Sequence, residues 1–308
     1  MRLLPRAALY LAVLALAVFV AMPMYWILVS AFKSSDEIFT PTPRWLPASL
    51  EWQNFALAWQ GAAFGRYFVN SIAVTTAILA LQLATSSLAA FALARRRFAG
   101  RGIILLTVIG ALIIPIQVTF LANFVTLQHF GWLDSYEALI APFAASAFGT
   151  FLLRQAFLAV PEALEDAARL DGCSGLAFLW HVLLPLSRPT VLAFALVALV
   201  AHWNDYFWPL IVTNRDAIRT LPIGLAMFVT QEVTTDWNLL MAATLFVAAP
   251  MFVIFFLTQR YFIRSRGSSV SQRPRGRSGP ACLCSIRSGR YPLVRLERRR
   301  WLKREGKQ

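Results

Sequence analysis

In this chain of 308 residues, the side chains whose types and spacing could do chemistry fall in two places. Glu162, Glu165, Asp166 and Arg169 stand at i, i+3, i+4 and i+7, followed at once by Asp171-Gly172. Further on, His202, Asn204 and Asp205 interrupt a long apolar run. Neither group has the makings of a reaction centre. No Ser/His/Asp set suggests a nucleophile, and His129 and His181 have no neighbours at metal-ligand spacing. The Cys282-x-Cys284 pair lacks the further Cys or His that a zinc site needs, and no Gly-x-x-x-x-Gly-Lys-Ser/Thr phosphate loop is present. The expectation is therefore no catalytic residue and no metal. What remains is recognition, by a charged helix face in one case and by polar groups inside an apolar helix in the other.

The elements that must carry these residues can be read outward from them. Pro161 suits a first helical turn, where its missing N–H would be unpaired in any case. From Glu162 the helix puts its acids in the first turns, where the helix dipole favours them, and places Glu165 to pair with Arg169. The four charged residues fall on one face and Leu164, Ala167 and Ala168 on the other, where small alanines let another surface approach closely. Gly172 can take the positive φ that ends a helix, and a second apolar helical stretch, 176–184, runs into Pro185, where a bend is expected. The result is a helix-turn-helix in one polar loop. An interfacial helix resting on lipid would carry Lys or Arg on its polar face, whereas this one is mainly acidic, which favours docking to a protein.

The loop sits in a chain built for a bilayer. Mean hydropathy is +0.60, with 58% hydrophobic and 14% charged residues, against about 45–50% and about 25% in soluble domains. Six stretches, 8–32, 69–93, 103–127, 138–158, 190–213 and 239–262, reach the roughly 20 apolar residues that cross about 30 Å of hydrocarbon. Their continuous apolarity excludes a barrel, so the predicted fold is all-α and polytopic, six transmembrane helices with membrane lipid around them. The first stretch is longer than a signal-peptide core and reads as an uncleaved anchor. Arg95, Arg96, Arg97 and Arg101 crowd the second connection, while the third has no Lys or Arg. The positive-inside rule then puts both termini and the polar loop in the cytoplasm.

The net charge of +14 invites a nucleic-acid reading until it is divided along the chain. Residues 264–308 hold 14 of the 29 Lys and Arg with two acids, which is +12 and leaves +2 for the rest. This tail has neither apolar period nor aromatic interleaving, so it is expected to be disordered and no nucleic-acid partner is expected. The organisation is thus 1–7 cytoplasmic, 8–263 the six-span domain, and 264–308 the basic tail.

The polar loop resembles the EAA loop of ABC importer permeases, whose pattern is Glu-Ala-Ala, three residues, Gly, nine residues, Ile, one residue, Leu-Pro. Asp166, Ala167, Ala168, Gly172, Val182, Leu184 and Pro185 match it in order, with Asp for Glu and Val for Ile as the two departures. Phe68-Val69-Asn70-Ser71, Ile114-Pro115-Ile116-Gln117, Leu153-Arg154-Gln155, Trp203-Asn204-Asp205 and Gln259-Arg260-Tyr261-Phe262 resemble the carbohydrate-uptake branch, more narrowly the maltose-type second permease subunit. The resemblance implies a bacterial inner-membrane permease with the EAA coupling loop between spans four and five. It implies three partners: a cytoplasmic dimer of ATP-binding subunits, a second homologous permease subunit and an extracytoplasmic solute-binding protein. ATP and Mg belong to the ATPase partner, and this chain binds no cofactor. The cargo expected is a carbohydrate or sugar-like solute, whether oligosaccharide, monosaccharide, polyol or glycerol phosphate. His202, Asn204 and Asp205 are candidates for the translocation path, because ionisable and polar groups are costly inside a membrane. Two other classes compete. An ion-coupled secondary transporter would need a midplane carboxylate, for which only Asp205 is available, and a membrane enzyme lacks a catalytic constellation.

Overall fold

The computed structural model describes residues 3–173, 175–229 and 236–265, and every regular element among them is a helix. The order is α1 Leu3–Ser30, α2 Ser35–Ile38, α3 Gln53–Gln60, α4 Phe64–Arg95, α5 Arg101–Ala111, α6 Ile116–His129 and α7 Tyr136–Ile140, which tightens into a 3-10 turn over Ala141–Phe143. Then come α8 Ala147–Leu158, α9 Glu162–Leu170, α10 Leu176–Phe178, a π turn Leu179–Leu183 and α11 Leu184–Leu186. The described chain closes with α12 Arg188–Trp203, α13 Phe207–Val212, α14 Leu221–Met227 and α15 Trp237–Ser265. The basic tail expected over 264–308, with Cys282 and Cys284, lies outside the described residues apart from the last turn of α15.

Three of these helices are long and apolar enough to cross a membrane unaided, over Ala7–Ser30, Phe64–Arg95 and Trp237–Gln259. Three bent pairs bring the number to six if each pair counts as one span. Arg101–Ala111 meets Ile116–His129 at 104°, Tyr136–Phe143 meets Ala147–Leu158 at 41°, and Leu176–Leu186 meets Arg188–Trp203 at 83°.

Apolarity alone made 103–127 look continuous. The break falls before Pro115, which is extended at ψ 132° and caps α6; proline lacks the N–H that would continue the ladder and pushes its predecessor out of the helical region. The expected fifth span, 190–213, is also divided. α12 stops at Trp203 and α13 starts at Phe207, with Asn204 and Asp205 in the gap. There Asn204 Nδ2 donates to Val200 O (2.8 Å) and Asp205 Oδ1 accepts from Trp208 N (3.4 Å). Short polar side chains that bond nearby backbone compete with the helix itself. Pro23 and Pro250 lie within unbroken helices, and Pro209 lies in the first turn of α13.

The centre of the assembly is α4, about 48 Å long at roughly 1.5 Å per residue. It packs chiefly on α8 and α12, while α1 and α3 pack on α15. Inside lipid, apolar burial drives little association, so small residues and hydrogen bonds decide how helices meet. Both devices are used. A Cβ on Gly149 of α8 would fall on the Phe194 ring of α12, so this crossing requires glycine. Gln82 Nε2 donates to Phe143 O (2.9 Å), Thr85 Oγ1 to Ala144 O (2.9 Å) and Ser86 Oγ to Ser146 O (3.3 Å), fastening the turn between α7 and α8 to the middle of α4.

The Phe64 end of α4 is held as firmly. Asn70 Nδ2 donates to the carbonyls of Ala217 and Arg219 (2.9 Å each), and its Oδ1 accepts from Tyr136 Oη (2.7 Å). Ser71 Oγ accepts from Leu221 N (2.8 Å). At the same end Asp134, at φ 59°, accepts from the backbone N–H groups of Asn214 (2.8 Å) and Arg215 (3.0 Å) and from Arg215 Nε (2.6 Å). These donors, the Arg215 N–H foremost, hold the Asp134 carboxyl below its ordinary value. The connections 130–135 and 213–220 are thereby clasped together.

Candidate functional site

At the other end, α4 and α8 finish side by side, and Pro161 turns the chain into α9. The helix forms where the sequence places it, and Gly172 has φ 76° with open space where a Cβ would project. Cys173 N donates to Ala168 O (2.8 Å), closing the helix end. Ala168 and Cys173 then pack among Phe178, Leu179 and Leu183, with Val182 and Leu184 at the edge of this cluster. The expected bend at Pro185 is displaced. Pro185 lies within the helical run Leu176–Leu186, directly after the π turn Leu179–Leu183, and the 83° turn comes at Ser187.

The sorting of faces on α9 is also corrected. Glu165 does not share a face with Glu162, Asp166 and Arg169; it is buried with Ala168, while Leu164 and Ala167 are exposed with the other charged residues. The cause is Arg95, the last residue of α4, whose side chain is 5% exposed against 10% for Glu165. Arg95 Nη1 lies 3.7 Å from Glu165 Oε2, and Arg95 Nη2 donates to the carbonyls of Phe157 (2.6 Å) and Val160 at the unsatisfied end of α8. Glu165 Oε1 accepts in turn from Arg169 Nη2 (2.8 Å), and Arg169 Nη1 lies 3.8 Å from Asp166 Oδ1. One buried guanidinium thus joins the ends of α4 and α8 to α9. With its acid turned inward, α9 presents Leu164, Ala167 and Leu170 outward, the last 91% exposed, with Asp171 and Gly172 beside them. An apolar stripe at i, i+3 and i+6 on a helix anchored from behind can dock a partner and can do no bond chemistry.

The second group does not form one site. His202 faces Gln82 Nε2 at 3.0 Å and packs on the Phe143 ring at 5.1 Å between centroids. Asn204 is exposed and lines a different cavity, beside Tyr206 and Pro222. Asp205 caps α13. Among the described residues no group of three or more His, Cys, Asp or Glu could hold a metal ion.

Residues 82–267 match the model of a family described as the binding-protein-dependent transport system inner membrane component. The chain belongs to this family. Membership makes it a polytopic membrane permease subunit of an ABC transport system, with no catalytic activity of its own. Among similar proteins, the probable ABC transporter permease protein YurM of Bacillus subtilis (strain 168) is 35% identical over 252 residues, which cover 81% of this chain and 83% of that protein. The sn-glycerol-3-phosphate transport system permease protein UgpE of Yersinia pestis is 31% identical over 249 residues, 79% of this chain and 89% of its own. The fold is shared with a chain of a bacterial ABC transporter involved in the import of the acidic polysaccharide alginate. That likeness has a TM-score of 0.75 at 21% identity, over 85% of this permease and 98% of that chain.

Reading the permease sequence alone misses Arg95 and Gln82 as site residues. Arg95 serves there only to mark a side of the membrane, and Gln82 passes as one polar residue in an apolar span. The signal available for Gln82 was the cost of an amide in hydrocarbon, which demands a partner from another helix.

Proposed function

We propose that this permease is one of two membrane subunits of an ABC importer that carries a carbohydrate or sugar-like solute into the cytoplasm of a bacterial cell. Alternating access is driven by ATP hydrolysis on a separate dimer of ATP-binding subunits, where ATP and Mg are bound. α9 is the coupling helix. Its exposed stripe of Leu164, Ala167 and Leu170, with Asp166, Asp171 and Gly172 at its rim, enters the ATP-binding subunit. Glu165, Arg169 and Ala168 anchor it from behind, and Val182, Leu184 and Pro185 carry the return to the membrane. The observation that carries this reading is the inverted helix face, with the acid held inward by Arg95 and the apolar side left open.

The arginine-bearing end of α4 is cytoplasmic, in keeping with the charge of Arg95, Arg96, Arg97 and Arg101. The clasped connections 130–135 and 213–220 then face outward, toward a solute-binding protein. A sugar-like cargo is supported by the relatives, one named for sn-glycerol 3-phosphate and a structural neighbour titled for alginate.

The test is Gly172→Trp in the importer reconstituted with its ATP-binding dimer, second permease and binding protein. A Cβ on Gly172 would meet no atom within 4 Å, so the ring has room; any residue but glycine is strained at φ 76°, and Gly172→Ala, which carries that strain without the ring, is the control. Stimulation of ATP hydrolysis by the loaded binding protein should be lost in Gly172→Trp. Full stimulation in Gly172→Trp would remove α9 from the coupling path.

A further inference from the structure

A cavity of about 330 Å³ opens between the middle of α4, α6, the turn from α7 to α8, and α12. We infer that it is a subsite for an uncharged polyhydroxylated solute, a neutral sugar or polyol group, with Gln82, Asn123 and His202 as its hydrogen-bonding residues and Phe143 and Phe148 as its apolar wall. The inference rests on the importer reading and narrows its cargo.

Gln82 stands near the midpoint of α4. Its side chain is nearly fully buried, and both amide hydrogens are used, one on Phe143 O at 2.9 Å and one on His202 Nε2 at 3.0 Å. An amide nitrogen only donates, so Nε2 of the imidazole accepts and the ring carries its hydrogen on Nδ1. Gln82 Oε1 and His202 Nδ1–H are then left without hydrogen-bond partners among the described residues, one an acceptor and one a donor. Asn123 on α6 lines the same cavity, its side chain makes no hydrogen bond among the described residues, and it offers both functions.

A sugar hydroxyl is donor and acceptor at once, and a pyranose also has an apolar C–H face for an aromatic wall. Phe143 lies against His202, and Phe148 packs on Phe194 at 6.2 Å between centroids. The volume falls within the range of about 300–1,000 Å³ typical of small-molecule sites. The decisive feature is charge. The lining has no Lys, Arg, Asp or Glu. A phosphate or uronate would lose its water there and gain no cation from this chain.

The experiment uses the complete importer in proteoliposomes with radiolabelled maltose, glucose, mannitol, sn-glycerol 3-phosphate and an alginate trisaccharide. ATP-dependent uptake of at least one neutral probe is expected. Losing one hydrogen bond to the solute should raise its KM about tenfold in Gln82→Leu and in Asn123→Leu, with subunit assembly unchanged. Asn123→Leu breaks no bond within the chain, so it guards against a folding failure of Gln82→Leu. ATP-dependent uptake of an anionic probe, uptake of none of the five, or neutral uptake with the same KM in both variants would overturn the inference. Uptake that persists without ATP would instead sink the importer reading.

Discussion

Arg95 and Glu165 show how one residue pair sets the orientation of a helix. With both side chains about nine-tenths buried, removing one partner leaves an uncompensated charge. Arg95→Ala is expected to destabilise the subunit by about 3–5 kcal/mol. Pairing Arg95→Met with Glu165→Gln should recover a large part of that loss, and a double-mutant cycle on thermal unfolding in detergent checks it; additive losses would mean that the pair does not interact. Asp134 is a residue-scale clasp of another kind. Its folded carboxyl is held below the ordinary value of 3.8 by the Arg215 and Asn214 N–H groups and the Arg215 guanidinium. A depressed carboxyl adds stability that is complete above the ordinary value and lost as pH falls through that value toward the folded one. Amide protection at 213–220, measured against the intrinsic exchange rate at each pH, should therefore fall below about pH 4, and Asp134→Asn should abolish that pH dependence.

At the scale of elements, α9 is the clearest case of a helix whose burial cannot be inferred from its own pattern. Its strong division into charged and apolar residues suggests apolar side inward, as in a soluble helix. A single arginine from α4 reverses that choice for Glu165, and the apolar side becomes the open one. Leu170 tests the consequence, since it is 91% exposed. Leu170→Ser is expected to change the stability of the subunit by no more than about 0.5 kcal/mol. It should nevertheless weaken capture of the ATP-binding subunit in detergent; equal capture would mean that this face is not the docking face. The divided spans carry the same lesson. Pro115 caps the second half of a broken span and Asn204-Asp205 lies in the gap of another, but Pro23 and Pro250 have the same chemistry as Pro115 and lie in continuous helices.

For the whole molecule, α4 is the member that joins the two ends. Asn70 and Ser71 bind it to the 213–221 segment, Gln82, Thr85 and Ser86 bind it to the turn before α8, and Arg95 binds it to α8 and α9. In the proposed arrangement, α4 links the coupling helix to the outward connections. The orientation is testable by labelling intact cells with a membrane-impermeant maleimide. Asp216→Cys should react from outside, and Arg97→Cys only after permeabilisation; the reverse pattern would invert the topology and move α9 to the wrong side for ATP.

By itself the sequence determined that this is an all-helical membrane protein with a helical polar loop. Those properties depend on composition, on the length of apolar runs and on Gly and Pro spacing, all local along the chain. Pro161, the Asp171-Gly172 turn and the Glu165–Arg169 pair were legible for the same reason, because each involves residues within a turn or two of one another. Only the tertiary structure decided that Glu165 faces inward, that His202 answers to Gln82 while Asn204 and Asp205 go elsewhere, and that Asn70 and Arg95 hold opposite ends of α4. The pairings of Glu165, His202, Asn70 and Arg95 join groups 60 or more residues apart, while Asn204 and Asp205 bond within a turn of their own positions. Within a bilayer, partner choice between distant helices follows from which buried polar groups can reach each other, and hydropathy carries no record of that.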